Sequence, residues 1–264
     1  MRVRPEIPAI DTPTAHSPRL WNYFLGGKDH YVVDRQVGDL FRLLYPPIDD
    51  VARSSRAFLV RTVRHLATAG VRQFLDIGTG LPAAVNTHDV AQQVAPGARV
   101  VYVDNDPVVL AHARALLHGA ADGTTAYVDG DLYNTGALLE AAGRTLAFEQ
   151  PVALVLTNIL GHIPDHADAR RIVAELVAAL APGSHLVLAD STTDGGRFDA
   201  AVSMWNQAGS LPYVLRTRDQ LAQLFDGLEL LEPGFGPCGL WRPEEGGIGT
   251  PVAVDLFGAV GRKS

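Results

Sequence analysis

Cysteine and long apolar runs are what this sequence of 264 residues lacks most clearly. A lone thiol, Cys238, forms no internal disulfide, so nothing indicates an oxidising compartment. No apolar stretch reaches the roughly 18 residues of a membrane span. The N-terminal stretch is polar and contains several prolines, and it lacks the apolar core of a secretory signal. These absences predict a cytoplasmic protein without a membrane partner.

Positive charge is also scarce, because 22 lysines and arginines stand against 29 acidic residues, for a net charge of −7. Proteins that bind duplex nucleic acid carry a basic footprint that neutralises phosphates. Four arginines do fall on one predicted helix, at Arg53, Arg56, Arg61 and Arg64. We interpret them as a solvated helix face and predict no nucleic-acid partner.

Hydrophobic residues make up 47% and charged residues 19% of the chain, a composition typical of a globular protein rather than of long disorder. Three prolines and scattered polar groups leave residues 1–17 without periodicity, which predicts a flexible N-terminal arm. A single domain is expected over 18–264. Within it, the spacing of apolar residues around Gly26-Gly27 and beyond predicts a helical cap over 18–70, followed by an α/β core over 71–264.

Short apolar strands alternate with helices along the predicted core. The strands are expected at 73–77, 99–104, 124–129, 151–157 and 184–190. This alternation is typical of a doubly wound α/β sheet of the Rossmann-like type, with parallel strands. The tail segments 228–235 and 252–261 have no long helix between them. They predict an antiparallel C-terminal hairpin that completes a sheet of about seven strands.

Three predicted strands end in acidic residues, about one strand–helix unit apart. Asp76 precedes a turn with Gly78 and Gly80, and glycine permits a tight turn and a close approach of backbone to a ligand. Asp104 and Asp131 follow the next two strands. Ligands of open α/β sheets bind at the carboxyl ends of the strands. A carboxylate at Asp104 suits the two hydroxyls of a ribose, and one at Asp131 suits an adenine amino group.

The glycine turn is compatible with two nucleotide cofactors. Gly78-x-Gly80-x-x-Ala83, with Asp104 downstream, matches a relaxed dinucleotide fingerprint. Pro82, however, removes a backbone donor where a diphosphate would need one. S-adenosylmethionine carries a sulfonium and an ammonium and no phosphate, so an acid-rich site favours it. We therefore expect a methyl donor, with NAD(P) as the weaker alternative.

Four segments in order, DIGTG, VDNDP, GDL and ALAPGSHLVLAD, resemble the class I methyltransferases. More specific are HSPRLWNYFLGGKDHY, RQFLDIGTGLP with NTHDVA after it, and the closing GRK. They resemble an actinobacterial S-adenosylmethionine-dependent methyltransferase family that was formerly known only as a domain of unknown function. The resemblance runs from about residue 16 to the C-terminus, and LGGKD is its most specific mark. It implies an enzyme that uses S-adenosyl-L-methionine as its cofactor.

The resemblance also implies contacts with this cofactor at four strand ends. They are Asp76, Gly78, Thr79 and Gly80 around the methionine end, Asp104 at the ribose, Asn105, Asp131 and Leu132 at the adenine, and Asn158 beside the methyl group. A lid over donor and acceptor is implied around the glycine pair. Its members are Tyr23, Gly26, Lys28, Asp29, His30 and Tyr31.

Methyl transfer by direct displacement requires alignment and exclusion of water rather than a fixed base. A base is needed only for a weakly acidic acceptor, and the candidates are His162, His30 and Tyr23. Related enzymes often carry Leu-His-His or Leu-His-x after strand four, where this chain has Leu160-Gly161-His162. His162 and His166 alone make no metal site. The acidic chain favours a small-molecule acceptor, and a non-catalytic cofactor-binding protein is the alternative.

Overall fold

A mixed β-sheet runs through the centre of the computed structural model, which describes residues 11–117, 124–243 and 253–264, without the side chains of 114–117. Within those residues the strands are β1 Gln73–Ile77, β2 Arg99–Asp104, β3 Thr125–Asp129, β4 Ala153–Thr157, β5 His185–Ser191, β6 Glu229–Leu230, β7 Gly236–Pro237 and β8 Leu256–Arg262. The order across the sheet is β3-β2-β1-β4-β5-β8-β6, and β7 pairs with β8. Neighbours among β1 to β5 are parallel, whereas β8 is antiparallel to β5, β6 and β7. The predicted doubly wound sheet with an antiparallel C-terminal end is confirmed.

Helices cover both faces of this sheet. In the described part of the chain they are α1 Ser17–Phe24, α2 Val32–Leu44, α3 Ile48–Thr68, α4 Thr87–Val94, α5 Pro107–Leu117, α6 Thr135–Ala142, α7 His166–Ala178, α8 Arg197–Ala208 and α9 Arg218–Ala222. One face packs against α1 to α4 and α8, and the other against α6, α7 and α9. The central strands β1 and β4 are therefore covered on both sides, which is why every β4 residue but Thr157 is apolar and all five β1 residues are buried, including Gln73 and Asp76.

The order of the strands reverses at β1, which pairs with β2 on one side and with β4 on the other. Such a switch opens a crevice beyond the carboxyl ends of the strands. Helix α5 begins there as the sequence predicts, with Pro107 at its first position and the Asp106 carboxylate accepting the Val108 N–H at 2.8 Å. The loops beside β1 are thus fixed at the place where an α/β sheet binds its ligands.

The N-terminal segment differs from the flexible arm predicted over residues 1–17. Residues 1–10 lie outside the described part, but Ala15 is fully buried and forms a β-bridge with Gly209. The buried Arg19 guanidinium donates to the backbone carbonyls of Asp11 and Thr14. A buried guanidinium needs acceptors for its many donors, and the preceding backbone supplies them. Residues 11–17 of the predicted arm are therefore described as part of the cap.

Two parts of the C-terminal half also differ from expectation. Helix α8 follows β5 without a predicted counterpart, and its buried Phe198, Val202 and Trp205 belong to the core on the α2 side of the sheet. The predicted strand over 228–235 is reduced to the two residues of β6, and Val252 of the predicted 252–261 lies outside the described residues. No helix among the described residues is both long enough and apolar enough to cross a bilayer.

Candidate functional site

A cavity of about 820 Å³ lies between the carboxyl ends of β1 to β4 and the helical cap. The loops after these strands form one side, and α1, α3, α8 and the α1–α2 loop contribute to the other. Six aromatic side chains line the second side, and we call them the aromatic chamber: Trp21, Phe24, Phe41, Phe198, Trp205 and Tyr213. Sites for drug-sized ligands span about 300–1,000 Å³, so this cavity has room for a cofactor and a second small molecule.

The glycine turn after β1 lines this cavity with Gly78, Thr79 and Gly80. Gly78 and Gly80 have φ of +73° and +65°, a conformation that side chains other than glycine rarely adopt. A Cβ on Gly78 would lie 2.5 Å from the Ile159 side chain, whereas the space beside Gly80 is open. Helix α4 begins only at Thr87, so the turn does not open directly into a helix N-terminus. The turn brings bare backbone to the cavity without the helix end that binds a diphosphate.

Asp104 at the end of β2 organises the same turn. One carboxylate oxygen accepts the Gly80 N–H at 2.9 Å, and the other accepts the Asp106 N–H at 2.9 Å. Burial raises the pKa of Asp104 above its ordinary value, although these backbone donors oppose the shift. Each oxygen retains lone-pair capacity, and the residue lines the cavity. Asp104 is therefore placed to accept hydroxyl groups from a ligand.

Asp76 is not among the residues that line the cavity. Its side chain is buried behind the glycine turn, where it accepts a hydrogen bond from the Thr87 hydroxyl at 2.6 Å. Burial raises the pKa of Asp76 to about 6, against the opposing effects of Thr87 and of the Arg56 charge. The structure thus places Asp76 as a support for the first loop, whereas the sequence suggests a direct contact with the cofactor.

The predicted adenine contacts lie together on one wall. Asn105, Asp131 and Leu132 all line the cavity. One Asp131 carboxylate oxygen accepts the Tyr133 N–H at 2.9 Å, which closes a tight turn after β3. Leu132 is buried and offers an apolar surface beside these polar groups. Leu132 offers an apolar contact for the face of an adenine ring, and Asn105 and Asp131 offer hydrogen-bond acceptors for its edge.

Asn158 follows β4 and has a φ of +54°, an uncommon conformation for a residue other than glycine. Its side-chain amide donates to the Ser55 hydroxyl at 2.6 Å, while its Oδ1 is buried and has no partner among the described residues. A buried acceptor without a donor is unfavourable by about 1–3 kcal/mol. The Oδ1 of Asn158 is therefore available on the cavity wall to accept a hydrogen bond from a ligand.

The predicted lid is divided by the structure. Gly26 and Asp29 line the cavity, whereas Lys28 does not. The other three members also lie outside the lining and contact the cap itself: Tyr23 donates to Asp39, His30 contacts the Gly27 carbonyl, and Tyr31 lies under the Arg19 guanidinium. Helix α1 directs Tyr23 towards α2 rather than inwards. Two of the three candidate bases, His30 and Tyr23, are therefore removed from the cavity.

His162, the remaining candidate base, lines the cavity. Its Nδ1 lies 2.9 Å from the Pro212 carbonyl, and its Nε2 lies 3.2 Å from the Ser17 hydroxyl. A carbonyl only accepts, so Nδ1 carries the proton and Nε2 of the neutral ring is a hydrogen-bond acceptor. Burial lowers the pKa of His162, which favours this neutral form at pH 7. The arrangement holds a hydrogen-bond acceptor at the cavity wall.

The departure Leu160-Gly161-His162 has a steric explanation. The Tyr213 ring packs on Gly161 so closely that a Cβ at position 161 would overlap it. Tyr213 also meets the His162 ring edge-on at 5.1 Å and donates its hydroxyl to the buried Asp190. Only glycine at position 161 leaves room for the Tyr213 ring. The histidine that this chain keeps from the family pattern is His162, which contacts Ser17 and Pro212.

Sequence reasoning missed two charged or titratable groups on the cavity wall. Arg56 was assigned to a solvated helix face, yet it lines the cavity and donates to the Val85 carbonyl beside the glycine turn. His16 was assigned to the arm, yet its Nδ1 lies 2.9 Å from the Asp106 carboxylate. Arg56 follows Ser55 on the buried side of α3, a position that gives a weak signal for an inward-facing arginine. The contact of His16 joins residues 90 apart and has no local signal.

Negative charge predominates on the described cavity wall. The lining contains four carboxylates, Asp29, Asp104, Asp106 and Asp131, and one arginine, Arg56. A ligand with net positive charge is favoured by such a wall, and a diphosphate is disfavoured. The single arginine provides a place for one carboxylate of an otherwise cationic ligand. This pattern matches the charges of S-adenosylmethionine.

Comparison with known families identifies the chain. A family model described as S-adenosyl methyltransferase matches residues 4–264. The chain belongs to this methyltransferase family. The enzyme is accordingly an S-adenosylmethionine-dependent methyltransferase with S-adenosyl-L-methionine as its cofactor, and the resemblance stated from its motifs is confirmed.

Solved structures agree with this assignment. A DUF574 family protein from Streptomyces avermitilis is 39% identical to the methyltransferase, with a TM-score of 0.90 over 97% of this chain and 100% of the other. A predicted methyltransferase from Thermobifida fusca is 35% identical, with a TM-score of 0.89 over 99% of both chains. Human N-acetylserotonin methyltransferase in complex with S-adenosylmethionine is 14% identical, with a TM-score of 0.50 over 92% of this chain and 62% of the other, and shares the fold alone. No curated protein matches the chain.

Proposed function

We propose that the methyltransferase transfers the methyl group to a small-molecule acceptor by direct displacement inside the cavity. The observation that supports this most strongly is the continuity of the cavity. The acid- and glycine-lined strand ends and the aromatic chamber share one space of about 820 Å³. A donor held at the strand ends and an acceptor held under the cap would thus meet without crossing solvent.

The residues on the wall fit the cofactor. Asp104 supplies acceptors for ribose hydroxyls, and Asp131 with Leu132 suits the adenine. At the methionine end, Gly78 and Gly80 permit close approach of the backbone. The orphaned Oδ1 of Asn158 suits the ammonium or the polarised methyl group, and we assign the methionine carboxylate to Arg56. Asp76 does not contact the cofactor and instead supports the loop after β1 through its hydrogen bond with Thr87.

The protein contributes alignment rather than covalent chemistry. When bound, the cofactor supplies an electrophilic methyl group on its sulfonium. The strand-end loops hold the donor, while α1, α8 and the aromatic chamber exclude water and orient the acceptor. His162 is the one candidate base that the structure keeps on the wall. A proton on the acceptor would leave to its Nε2.

Specific observations disfavour the two alternatives, an NAD(P)-dependent enzyme and a non-catalytic cofactor-binding protein. Binding of a dinucleotide is disfavoured because four carboxylates on the cavity wall would repel its diphosphate. The glycine turn also does not lead into a helix N-terminus that could bind the diphosphate. A protein that only binds the cofactor would have no need of a second chamber beside it. Neither alternative explains the uncharged aromatic chamber next to His162.

Calorimetric titration with S-adenosylmethionine, S-adenosylhomocysteine and NADH tests the cofactor site. We expect the first two to bind and NADH not to. Asp104→Asn should weaken both by roughly 10- to 100-fold, since hydrogen bonds to a charged group contribute about 1.5–3 kcal/mol. Asp129→Asn is the matched control, because Asp129 pairs in register with Asp104 on β3 but is exposed and does not line the cavity.

Equal binding to both variants would contradict the assignment of Asp104. Binding of NADH alone would contradict the proposed arrangement of the cofactor site. Binding of S-adenosylmethionine without turnover of any acceptor would favour the non-catalytic alternative.

A further inference from the structure

The aromatic chamber is a preformed apolar space. Phe24, Phe41, Phe198 and Trp205 are each at most 5% exposed. Phe24 contacts Phe41 edge-on at 5.6 Å between ring centroids, and Phe41 contacts Phe198 in the same way at 6.2 Å. These contacts fix the rings in place before any ligand binds. These four rings belong to the core, so the ring surface open to a ligand is mainly that of the partly exposed Trp21 and Tyr213. Contact of a flat aromatic ligand with such a ring contributes about 0.5–1.5 kcal/mol beyond the buried area.

Formal charge is absent from the six side chains of the aromatic chamber. Among the described lining residues, Asp104, Asp106 and Asp131 lie on the strand-end side, and the cap side contributes the exposed Asp29 and Arg56, which donates to the Val85 carbonyl beside the glycine turn. The Tyr213 hydroxyl is bonded to Asp190 and is kept neutral, since burial raises its pKa well above the ordinary value. An ionised acceptor would lose its hydration here without gaining a partner. The chamber therefore selects a neutral molecule.

Beside the chamber, His162 offers a hydrogen-bond acceptor on the cavity wall. His162 Nδ1 donates to the Pro212 carbonyl, which leaves Nε2 to accept. Its partner in this structure is the Ser17 hydroxyl at 3.2 Å, a longer contact than most O–H···N or O–H···O bonds. A ligand hydroxyl is able to replace or join Ser17 at this atom. An ammonium would bring a charge for which the chamber has no carboxylate.

We propose that the acceptor is a neutral, planar aromatic compound with a hydroxyl group, bound in the aromatic chamber with that hydroxyl against His162 Nε2. This inference rests on the proposed methyl transfer and specifies its acceptor. As the new O–C bond forms and the C–S bond of the cofactor breaks, the hydroxyl proton passes to Nε2. The products are the methyl ether, neutral S-adenosylhomocysteine and protonated His162, which returns its proton to solvent.

Naphthalene derivatives serve as probes of this site, titrated into the protein saturated with S-adenosylhomocysteine. We expect 2-naphthol to bind at least fivefold more tightly than 2-methoxynaphthalene, which has no hydroxyl proton to donate. The anion 2-naphthoate and the cation of 2-naphthylmethylamine should bind at least tenfold more weakly than 2-naphthol. His162→Ala should abolish the preference for 2-naphthol over its methyl ether.

His166→Ala is the matched control. His166 stands four residues further on, contacts Gln223 and does not line the cavity, so the preference should persist. With S-adenosylmethionine in place of the product, 2-naphthol should yield 2-methoxynaphthalene in the wild type and in His166→Ala. His162→Ala should form it at least a hundredfold more slowly while its affinity for S-adenosylhomocysteine changes less than threefold.

Several results would overturn the proposal. Charged probes that bind as well as 2-naphthol would refute the neutral chamber, and equal binding of 2-naphthol and its methyl ether to the wild type would refute the contact with His162. Bound 2-naphthol that is not methylated would refute the hydroxyl as acceptor. The comparison of 2-naphthol with 2-methoxynaphthalene in the wild type tests the proposal even if His162→Ala does not fold. Failure to bind S-adenosylhomocysteine at all would instead contradict the proposed function, and calorimetry without probes detects that separately.

Discussion

The strand-end loops and the helical cap lie on opposite sides of one cavity, and different kinds of interaction hold them. In the loops, carboxylates at the strand ends accept backbone N–H groups, as Asp104 does from Gly80 and Asp131 does from Tyr133. The cap depends on side chains that join distant parts of the chain, such as His16 with Asp106. A cofactor site can therefore be recognised from local motifs, whereas an acceptor site made by a cap becomes visible only in three dimensions.

The largest effect is expected where the cap depends on a buried charge. Arg19 and Asp34 form a fully buried ion pair at 3.0 Å, and Asp34 also accepts the backbone N–H groups of His16 and Tyr31. Arg19→Met leaves that carboxylate without its cation. The free energy of unfolding should fall by about 3–5 kcal/mol, measured by urea denaturation followed by tryptophan fluorescence.

Arg171→Met is the control for this comparison. Its exposed pair with Glu175 on α7 spans 2.9 Å, and exposed pairs contribute about 0–1 kcal/mol. A similar loss of stability in both variants would show that the cap does not depend on the buried pair.

The sheet side has a buried acid with a distinct dependence on pH. The pKa of Asp76 is raised by burial to about 6, from an ordinary value of 3.8. Between these values the native state binds more protons than the unfolded state, so the free energy of unfolding should fall as pH rises from about 4 to 6. At 1.36 kcal/mol per pKa unit, the contribution is about 3 kcal/mol. Asp76→Asn keeps a hydrogen-bond acceptor for Thr87 but does not titrate, so this pH-dependent contribution should be absent from the variant.

The measurement is urea denaturation of the wild type and Asp76→Asn at several pH values. Relative to the wild type, Asp76→Asn should gain stability across this interval, and the exposed Asp129→Asn should show no such gain. Parallel pH curves for the wild type and Asp76→Asn would contradict the raised pKa.

Arg56 belongs to the cap but is assigned to the cofactor, so it tests where the two regions meet. Arg56→Gln should weaken binding of S-adenosylhomocysteine by roughly tenfold or more, because a charge-assisted contact with its carboxylate is lost. Binding of 5′-methylthioadenosine, which lacks the amino-acid group, should be unchanged. Calorimetry with both ligands separates loss of this contact from general damage to the site.

Arg53→Gln is the matched control for Arg56, since Arg53 lies three residues earlier on α3 and forms an exposed pair with Asp50. It should bind both ligands like the wild type. Equal weakening of both ligands by Arg56→Gln would mean that Arg56 supports the wall rather than the carboxylate.

The smallest effect is expected at His16, where the cap touches the loop after β2. His16→Ala removes the contact with Asp106 but leaves the bridge between Ala15 and Gly209. Release of S-adenosylhomocysteine should become a few fold faster, since one hydrogen bond contributes about 0.5–1.5 kcal/mol. Stopped-flow tryptophan fluorescence measures the rate, with His166→Ala as control. An unchanged rate would show that the N-terminal segment does not retain the cofactor.

The sequence is most informative about functional residues that lie directly beside the end of a strand. The glycines at 78 and 80, the acids at 104 and 131 and the N-cap at Asp106 each act within a few residues of a strand end. Their positions in the sheet follow once the alternation of strands and helices is recognised. The class I resemblance depends on those same segments, whereas the most specific mark of the family, LGGKD, lies in the cap.

The rest depends on contacts that no local pattern encodes. Tyr23 and His30 carry suitable chemistry, but the orientation of α1 turns Tyr23 towards α2, and His30 is held at the Gly27 carbonyl. Arg56 shares α3 with the exposed Arg53 and with Arg61, which donates to the Trp241 and Cys238 carbonyls, yet only Arg56 of these three lines the cavity. A role in the cavity is set by the packing of one element on another, and that packing is not periodic in the sequence.

The close packing of Tyr213 on Gly161 has a consequence for divergence within the family. A side chain at position 161 and the tyrosine at 213 exclude each other sterically, so the two positions are expected to change together in evolution. A lineage that acquires histidine at 161 has to surrender the ring at 213 and its bond to Asp190. The space beside His162 then changes shape while the cofactor loops stay the same. Two coupled substitutions therefore provide a short route from one acceptor specificity to another.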